Sequence, residues 1–339
     1  MTDLFKDKTV AITGGTGSFG RAFARRLLKE DKCKKVIILS RDEWKQWEMK
    51  HGDPIFSSSK IRFFLGDVRD KERLIRAFNE VDYVIHAAAL KQVPAAEYNP
   101  TEFVKTNING AMNVIDAAIA CQVEKVIALS TDKAVNPVNL YGATKLCSDK
   151  LFIAGGSYVG SIGKPTFSVV RYGNVAGSRG SIIPFWSDLL KRGNKHLPVT
   201  DLRMTRFWIT LDQSVDLVIK ALELGKGAEV FVPKIPSFKI TDLLEAMAPE
   251  MKPEIIGIRE GEKIHELMIP VDDARHTLEF DDHFIILPEF IVHNPKHLTQ
   301  FLDGRTGKPL PDGFAYTSGE NKEWLTQNEL TELIKPYVD

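Results

Sequence analysis

The chain has 339 residues, 43% of them apolar and 27% charged, the mixture of a soluble globular protein with room for one large domain or a large and a small one. Lys+Arg and Asp+Glu both total 45, so charge favours neither a nucleic acid nor a membrane surface as partner. No run reaches the roughly 18 apolar residues of a membrane span, the start MTDLFKDKTV has no apolar signal core, and Cys33, Cys121 and Cys147 lack metal-ligand spacing; a cytoplasmic protein with reduced thiols and no metal is expected.

Strand-like runs at 8–13, 34–40, 61–70 (a strand and its turn), 81–89, 123–131 and 165–175 alternate with helical patterns. That alternation predicts an α/β fold, a right-handed, doubly wound parallel sheet of the Rossmann type. Residues 99–121 are predicted to form one long helix. The texture changes near 176, so residues 1–175 are expected to bind a cofactor and 176–339 mainly a substrate, as a smaller C-terminal domain. A strand at 228–234 is expected to return to the main sheet, as are other segments near 200–235. Helices follow at 212–225 and over ITDLLEAMA, and a tail after 270 is expected to wrap the substrate domain or an oligomer contact, ending in a helix around 322–336. His265, His276, His283 and His293 have no metal-like companions.

The first strand runs into Gly14-Gly-Thr-Gly17-Ser-Phe-Gly20 and then a helix. Gly14 allows the tight turn, Gly17 lets a pyrophosphate approach the helix N-terminus, and Gly20 permits close helix–strand packing. At the end of the second strand, where an NAD site carries an acid for the ribose, stand Ser40 and Arg41. A guanidinium pairs bidentately with a 2′-phosphate, which points to NADP; Asp42 is one residue late for the ribose. Asp67 suits a helix cap. Lys91 follows the fourth strand at the sheet's ligand-binding side, either as a substrate contact or as a solvated charge. Trp44 and Trp47, three apart, are expected to pack.

The fifth strand leads into TDKAVNPVNLYGATK, residues 131–145. Tyr141 and Lys145 share a helix face, and a cation beside a phenol favours the phenolate, so Tyr141 is a candidate base. Asp132 and Lys133 are a second candidate acid/base pair, or a loop cap. Lys133 can act as a base only if burial or a nearby cation lowers its pKa.

The glycine turn and YGATK resemble the extended short-chain dehydrogenase/reductase family, over nearly the whole chain. With HAAALKQVP, TDK and RYGNVAGSRGS, the chain is similar to its UDP-N-acetylglucosamine 4,6-dehydratases, most closely those that invert C5 and open pseudaminic acid synthesis for flagellin glycosylation. The resemblance implies cofactor contacts from Thr13, Gly14, Thr16, Gly17, Ser18, Phe19, Gly20, Ser40, Arg41, Asp67, Val68, Ala87, Ala88, Ala89, Tyr141 and Lys145, with Asn107 steadying the active-site backbone. It implies catalysis by Thr131, Asp132, Lys133, Tyr141 and Lys145. Substrate contacts are implied for Lys91, Thr131, Tyr141, Asn174, Ser181 (in the segment 178–184), Thr205, Arg206, Arg259 and Glu262, the last two as diphosphate and ribose contacts. It further implies a retained NADP, UDP-N-acetylglucosamine as substrate, and a dimer or hexamer. In the implied reaction Tyr141 takes the 4-hydroxyl proton, Lys133 removes the C5 proton and Asp132 protonates the leaving 6-hydroxyl. A dehydratase/5-epimerase of capsule or O-antigen synthesis is the nearest alternative. A nucleotide-sugar 4-epimerase would need no second acid/base pair, and a nucleotide-binding scaffold would need no catalytic pair at all.

Overall fold

The computed structural model describes residues 3–160, 163–292 and 295–338; His293 lies outside them. Strands Thr9–Thr13 (β1), Lys35–Ser40 (β2), Ile61–Leu65 (β3), Tyr83–His86 (β4), Lys125–Thr131 (β5) and Thr166–Tyr172 (β6) run parallel in the order β3-β2-β1-β4-β5-β6. β1 and β4 are buried along their whole length. That is why they read as continuous apolar runs, since helices cover both faces of the sheet. The strand order reverses between β1 and β4, and a crevice for ligands opens at their C-terminal ends. This is the Rossmann-type doubly wound sheet.

Past β6, Leu197–Val199 (β7) and Thr205–Phe207 (β8) leave the sheet, and Val230–Pro233 (β9) lies parallel to β6 within it. Ser237–Lys239 (β10) pairs antiparallel with β8, and Pro253–Ile255 (β11) pairs parallel with β7. Leu267–Ile269 (β12) precedes Thr277–Glu279 (β13) and His283–Ile286 (β14). β14 pairs antiparallel with β9, and β13 with β14. Lys308–Pro309 (β15) closes that edge, and Tyr316–Thr317 (β16) pairs with β12. The segment after 270 therefore extends the main sheet to ten strands rather than only wrapping its surroundings. Its apolar pairs, such as Ile285 with Phe231, supply the reason.

The main core gathers Val10, Ile12, Ile38, Val84, Ile127, Phe152 and Phe167 around the sheet. A second, smaller core holds Trp186, Leu197, Trp208, Leu243 and Leu330. The expected long helix over 99–121 is broken into Pro100–Phe103, a π-helical turn Val104–Asn109, and Gly110–Ala120. Such bulges re-aim side chains, and this one carries Asn107. Trp44 and Trp47 stack on each other with centroids 4.9 Å apart, but on the surface rather than in the core. Among the described residues no helix is long and apolar enough to cross a membrane, and no metal-binding group of His, Cys, Asp and Glu assembles.

Candidate active site

The glycine turn fits a pyrophosphate. Gly14 has φ +66°, and a Cβ there would lie 2.8 Å from Ala88 Cα. The helix Ser18–Glu30 starts at Gly17 with no side-chain cap, leaving its first N–H groups for an anion. A Cβ on Gly20 would meet Gly15 at 2.5 Å, and one on Gly15 would meet Ile38 of β2 at 2.8 Å. Gly20 thus packs on the turn, and Gly15 makes the close approach to the strand.

Around this turn some candidates face inward. Thr13 is fully buried, its hydroxyl bonded to His86 Nδ1 at 2.8 Å and accepting from Ala88 N, so it ties β1 to β4 instead of facing a ligand. Thr16 and Ser40 share a hydroxyl hydrogen bond at 2.9 Å. Phe19 stacks on Phe23, and Ser18 Oγ accepts from Arg179 N, drawing the 177–180 loop over the turn. Ala87 N bonds to Thr13 O, beginning the Ala87-Ala88-Ala89 run past the Gly14 turn. Asp42 caps the helix Glu43–Gly52 and binds Lys45, so its carboxylate is already committed. Arg41 remains exposed, 4.0 Å from Asp67. Burial would raise the Asp67 pKa, but Arg69 above all, then Arg41, holds it below the usual carboxylate value. Val68 is buried against Gly110, and its carbonyl is held by Asn113.

Asn107 is 2% exposed and spends its amide on the Leu90 backbone, donating at 2.9 Å and accepting at 2.9 Å, and on Thr144 Oγ1 at 3.0 Å. It holds the backbone at Leu90, just after the Ala87-Ala88-Ala89 run.

The reactive groups collect where β5 ends. Thr131 caps the turn Asp132–Ala134, and its hydroxyl donates to Asp132 Oδ1 at 2.8 Å. Asp132 is fully buried. Burial and the Glu266 charge push its carboxyl up, and Lys133 and Thr131 only partly oppose them. Lys133 Nζ lies 3.1 Å from Asp132 Oδ1 and 3.3 Å from Glu266 Oε1. Burial alone would lower its pKa, yet the two carboxylates outweigh burial and hold the ammonium above the ordinary lysine value. The lowered pKa that a Lys133 base requires is therefore absent from this state.

Tyr141 sits in the first turn of the helix Leu140–Gly155. Its phenol is pushed up to about 12 by burial, with Asp132 adding, against help from Lys133 and the Thr131 hydroxyl. The cation that favours its phenolate here is Lys133. Lys145 is instead buried beside Asp149, with burial lowering its pKa and Asp149 opposing. Asp149 is anchored by Ser130 and faces Arg171 at 3.8 Å. The same burial, with the Lys145 charge, lowers His86 to about 3 and keeps it neutral.

The proposed substrate residues divide. Asn174 Oδ1, Ser181 Oγ and Glu262 Oε2 are buried polar atoms without a partner among the described residues, as are Asp132 Oδ2 and Glu266 Oε2. Arg259 is exposed, 4.0 Å from Glu262. Thr205 is buried, bonded to His265 Nδ1 and Ser318 Oγ, and is structural. Arg206 donates to the carbonyls of Thr205 and Ile264, with Nε 3.5 Å from Glu266 Oε1, so much of its fork is occupied by protein. Lys91 is exposed, but partial burial of its ammonium and the Lys133 charge lower its pKa.

Sequence reasoning passed over Glu266 and Asn139. Asn139 Oδ1 caps the Tyr141 helix by accepting from Gly142 N at 2.7 Å, while Nδ2 donates to Gly261 O at 2.7 Å. NxYG before a helix was a readable cap signal; Glu266, 133 residues from Lys133, had no local signal.

The profile of the polysaccharide biosynthesis protein family matches residues 10–288. The chain is 54% identical, over 98% of both chains, to the UDP-N-acetylglucosamine 4,6-dehydratase (inverting) of Campylobacter jejuni subsp. jejuni serotype O:23/36 (strain 81-176). It is 40% identical to the UDP-glucose 4-epimerase of Rickettsia canadensis (strain McKiel), over 98% of this chain and 96% of that one. Among solved structures, Pen from Bacillus thuringiensis superposes with a TM-score of 0.87 at 39% identity, covering 97% of this chain and 98% of that one. With a matching profile, near-complete alignments and the glycine turn and Tyr141–Lys145 helix in place, the chain belongs to the polysaccharide biosynthesis protein family of extended short-chain dehydrogenases/reductases.

Proposed function

We propose that the chain is an inverting UDP-N-acetylglucosamine 4,6-dehydratase, the activity its Campylobacter relatives are named for. The observation that carries this reading is the pair of fully buried Asp132 and partly buried Lys133 beside Tyr141. A 4-epimerase moves only the C4 hydrogen and needs no second acid such as Asp132, whose carboxyl burial pushes up. A dehydratase does, because hydroxide is a poor leaving group without a proton.

The turn residues Gly14 and Gly17, with Arg41 and Asp67, would hold a dinucleotide, and the open Arg41 guanidinium favours NADP over NAD. When bound, the nicotinamide supplies the hydride acceptor and donor. Tyr141 takes the 4-hydroxyl proton, with Lys133 as the cation favouring its phenolate. The C4 ketone then makes the C5 proton removable. Asp132 gives its proton to the 6-hydroxyl, which leaves as water, and a proton returned to the opposite face of C5 inverts that centre. Asn174, Ser181 and Glu262 offer unpaired polar atoms, and Arg259 an exposed guanidinium, to the nucleotide sugar. Ser181, Arg259 and Glu262 come after residue 176, where the smaller core also lies, and that part is the substrate domain of this proposal. The reading extends to a cytoplasmic homo-oligomer, dimer or hexamer, that retains its cofactor and supplies pseudaminic acid synthesis for flagellin glycosylation.

Mass spectrometry of UDP-N-acetylglucosamine incubated with the protein tests the reaction class. A product lighter by one water supports the dehydratase; an unchanged mass with a new retention time indicates epimerisation.

A further inference from the structure

If Lys133 is to take a proton from C5, it must first become an amine. Its Nζ is held between Asp132 Oδ1 and Glu266 Oε1, and Asp132 is required as an acid at the 6-hydroxyl. Among the described residues Glu266 is the remaining hydrogen-bond acceptor of Lys133 Nζ. It is 3% exposed, and its Oε2 has no partner among the described residues. Its backbone is clamped by Ser318: Glu266 N donates to Ser318 Oγ at 2.8 Å, and Ser318 N donates to Glu266 O at 2.8 Å. Ser318 Oγ bonds in turn to Thr205 of β8. The charged and titratable groups around Glu266 are Lys133 and Asp132 from the turn after β5, Arg206 from β8 and Lys263 from its own segment. Tyr141 lies beyond, facing Lys133.

We propose that Glu266 is a positioning residue for the C5 step: it holds Lys133 in place and takes up the lysine proton, leaving the amine that attacks the C5 hydrogen. This rests on the dehydratase reading. Lys133 ammonium and Glu266 carboxylate become amine and carboxylic acid, the broken N–H bond leaving its electron pair on nitrogen. The amine then takes the C5 proton, and the C–H pair passes into the enolate of the C4 ketone. Asp132 protonates the departing 6-hydroxyl, which carries off the C6–O pair. Over a turnover the cluster receives the O4 and C5 protons and gives one to O6 and one to C5, so it ends as it began.

The transfer leaves net charge unchanged while removing the buried Glu266 charge and the partly buried Lys133 charge. An environment that penalises ions favours the neutral pair once bound sugar excludes water. Free Glu266 is held below its usual value, because Lys133, Arg206 and Lys263 outweigh burial. Excluding water is what tips the pair toward transfer.

The test uses the 4-keto-6-deoxy product made by the wild-type protein, returned in deuterated water to the wild type, Glu266→Gln and Glu266→Asp. Deuterium entry at C5 is followed by NMR across pH, with an enzyme-free blank. The ketone is already present, so oxidation by Tyr141 is bypassed. Wild-type exchange is expected to vary little with pH across the neutral range. Glu266→Gln slows it by about a hundredfold at neutral pH and then climbs about tenfold per pH unit, as solvent takes over deprotonation of Lys133. Glu266→Asp keeps the flat profile at a reduced rate. In Glu266→Gln, C5 exchange falls much further than C4 oxidation, read as reduced nicotinamide on mixing with substrate. A Glu266→Gln profile parallel to wild type, or equal losses in oxidation and exchange, would overturn the proposal in favour of a structural role. A wild-type protein that makes no ketone would overturn the dehydratase reading and this inference with it.

Discussion

Gly142 lies directly against the carbonyl oxygen of Lys133: a Cβ at Gly142 would stand 2.1 Å from that atom. The helix bearing Tyr141 is thus seated on the turn bearing Asp132 and Lys133, and one missing methyl group sets their spacing. Gly142→Ala must push helix and turn apart. A stability loss of about 1–3 kcal/mol is expected from overpacking, read by denaturant titration. A shift near 1 Å between reacting groups costs about a hundredfold in rate, so turnover should fall further than stability suggests.

Asp132→Asn removes the acid while keeping its size. Water elimination is expected to slow by about 10²–10⁴-fold, with C4 oxidation much less affected. Reduced nicotinamide should therefore accumulate on mixing with UDP-N-acetylglucosamine, visible in stopped-flow absorbance. In the wild type it is consumed as fast as C6 accepts hydride.

The pH dependence of the two half-reactions should oppose. Burial pushes the Tyr141 phenol up to about 12, so its base form grows as pH rises and oxidation accelerates. Asp132 has a raised pKa, so its acid form persists above the usual carboxylate range and is lost as pH rises through the raised value. Rapid-mixing experiments across pH should show oxidation quickening while formation of the C6 methyl group slows.

Asn139 allows a capping effect to be separated from a substrate effect. Asn139→Asp keeps the acceptor for Gly142 N but loses the donor to Gly261 O. Stability should be nearly unchanged, while the Arg259–Glu262 turn loosens and KM for the nucleotide sugar rises. Asn139→Ala loses both, at about 1 kcal/mol for the cap.

Arg41→Ala tests cofactor choice. Loss of a charge-assisted pair to a 2′-phosphate costs about 1.5–3 kcal/mol, roughly ten- to a hundredfold in affinity. Titration of cofactor-stripped protein should show weakened NADP binding and little change for NAD.

The doubly wound sheet was readable because β1, β2, β4 and β5 are apolar runs separated by helical patterns and punctuated by glycine. The reactive stretch was readable because Thr131 to Tyr141 is contiguous. Electrostatics was not readable: the fate of Lys133 depends on Glu266, which arrives from a distant segment held by Ser318. The sequence pairs Tyr141 with Lys145, but the folded helix turns Lys145 toward Asp149, four residues further along. Thr205 resembled a substrate contact until folding placed His265 and Ser318 around its hydroxyl. Long-range neighbours decide these points, and periodicity carries no record of them.

The most direct test of the account is NMR of UDP-N-acetylglucosamine incubated with the purified protein in deuterated water, with no cofactor added. A C6 methyl group, deuterium at C5 and an L-arabino 4-keto ring are expected. UDP-N-acetylgalactosamine with its 6-hydroxyl intact would contradict it, since Asp132 and Lys133 would then perform no elimination.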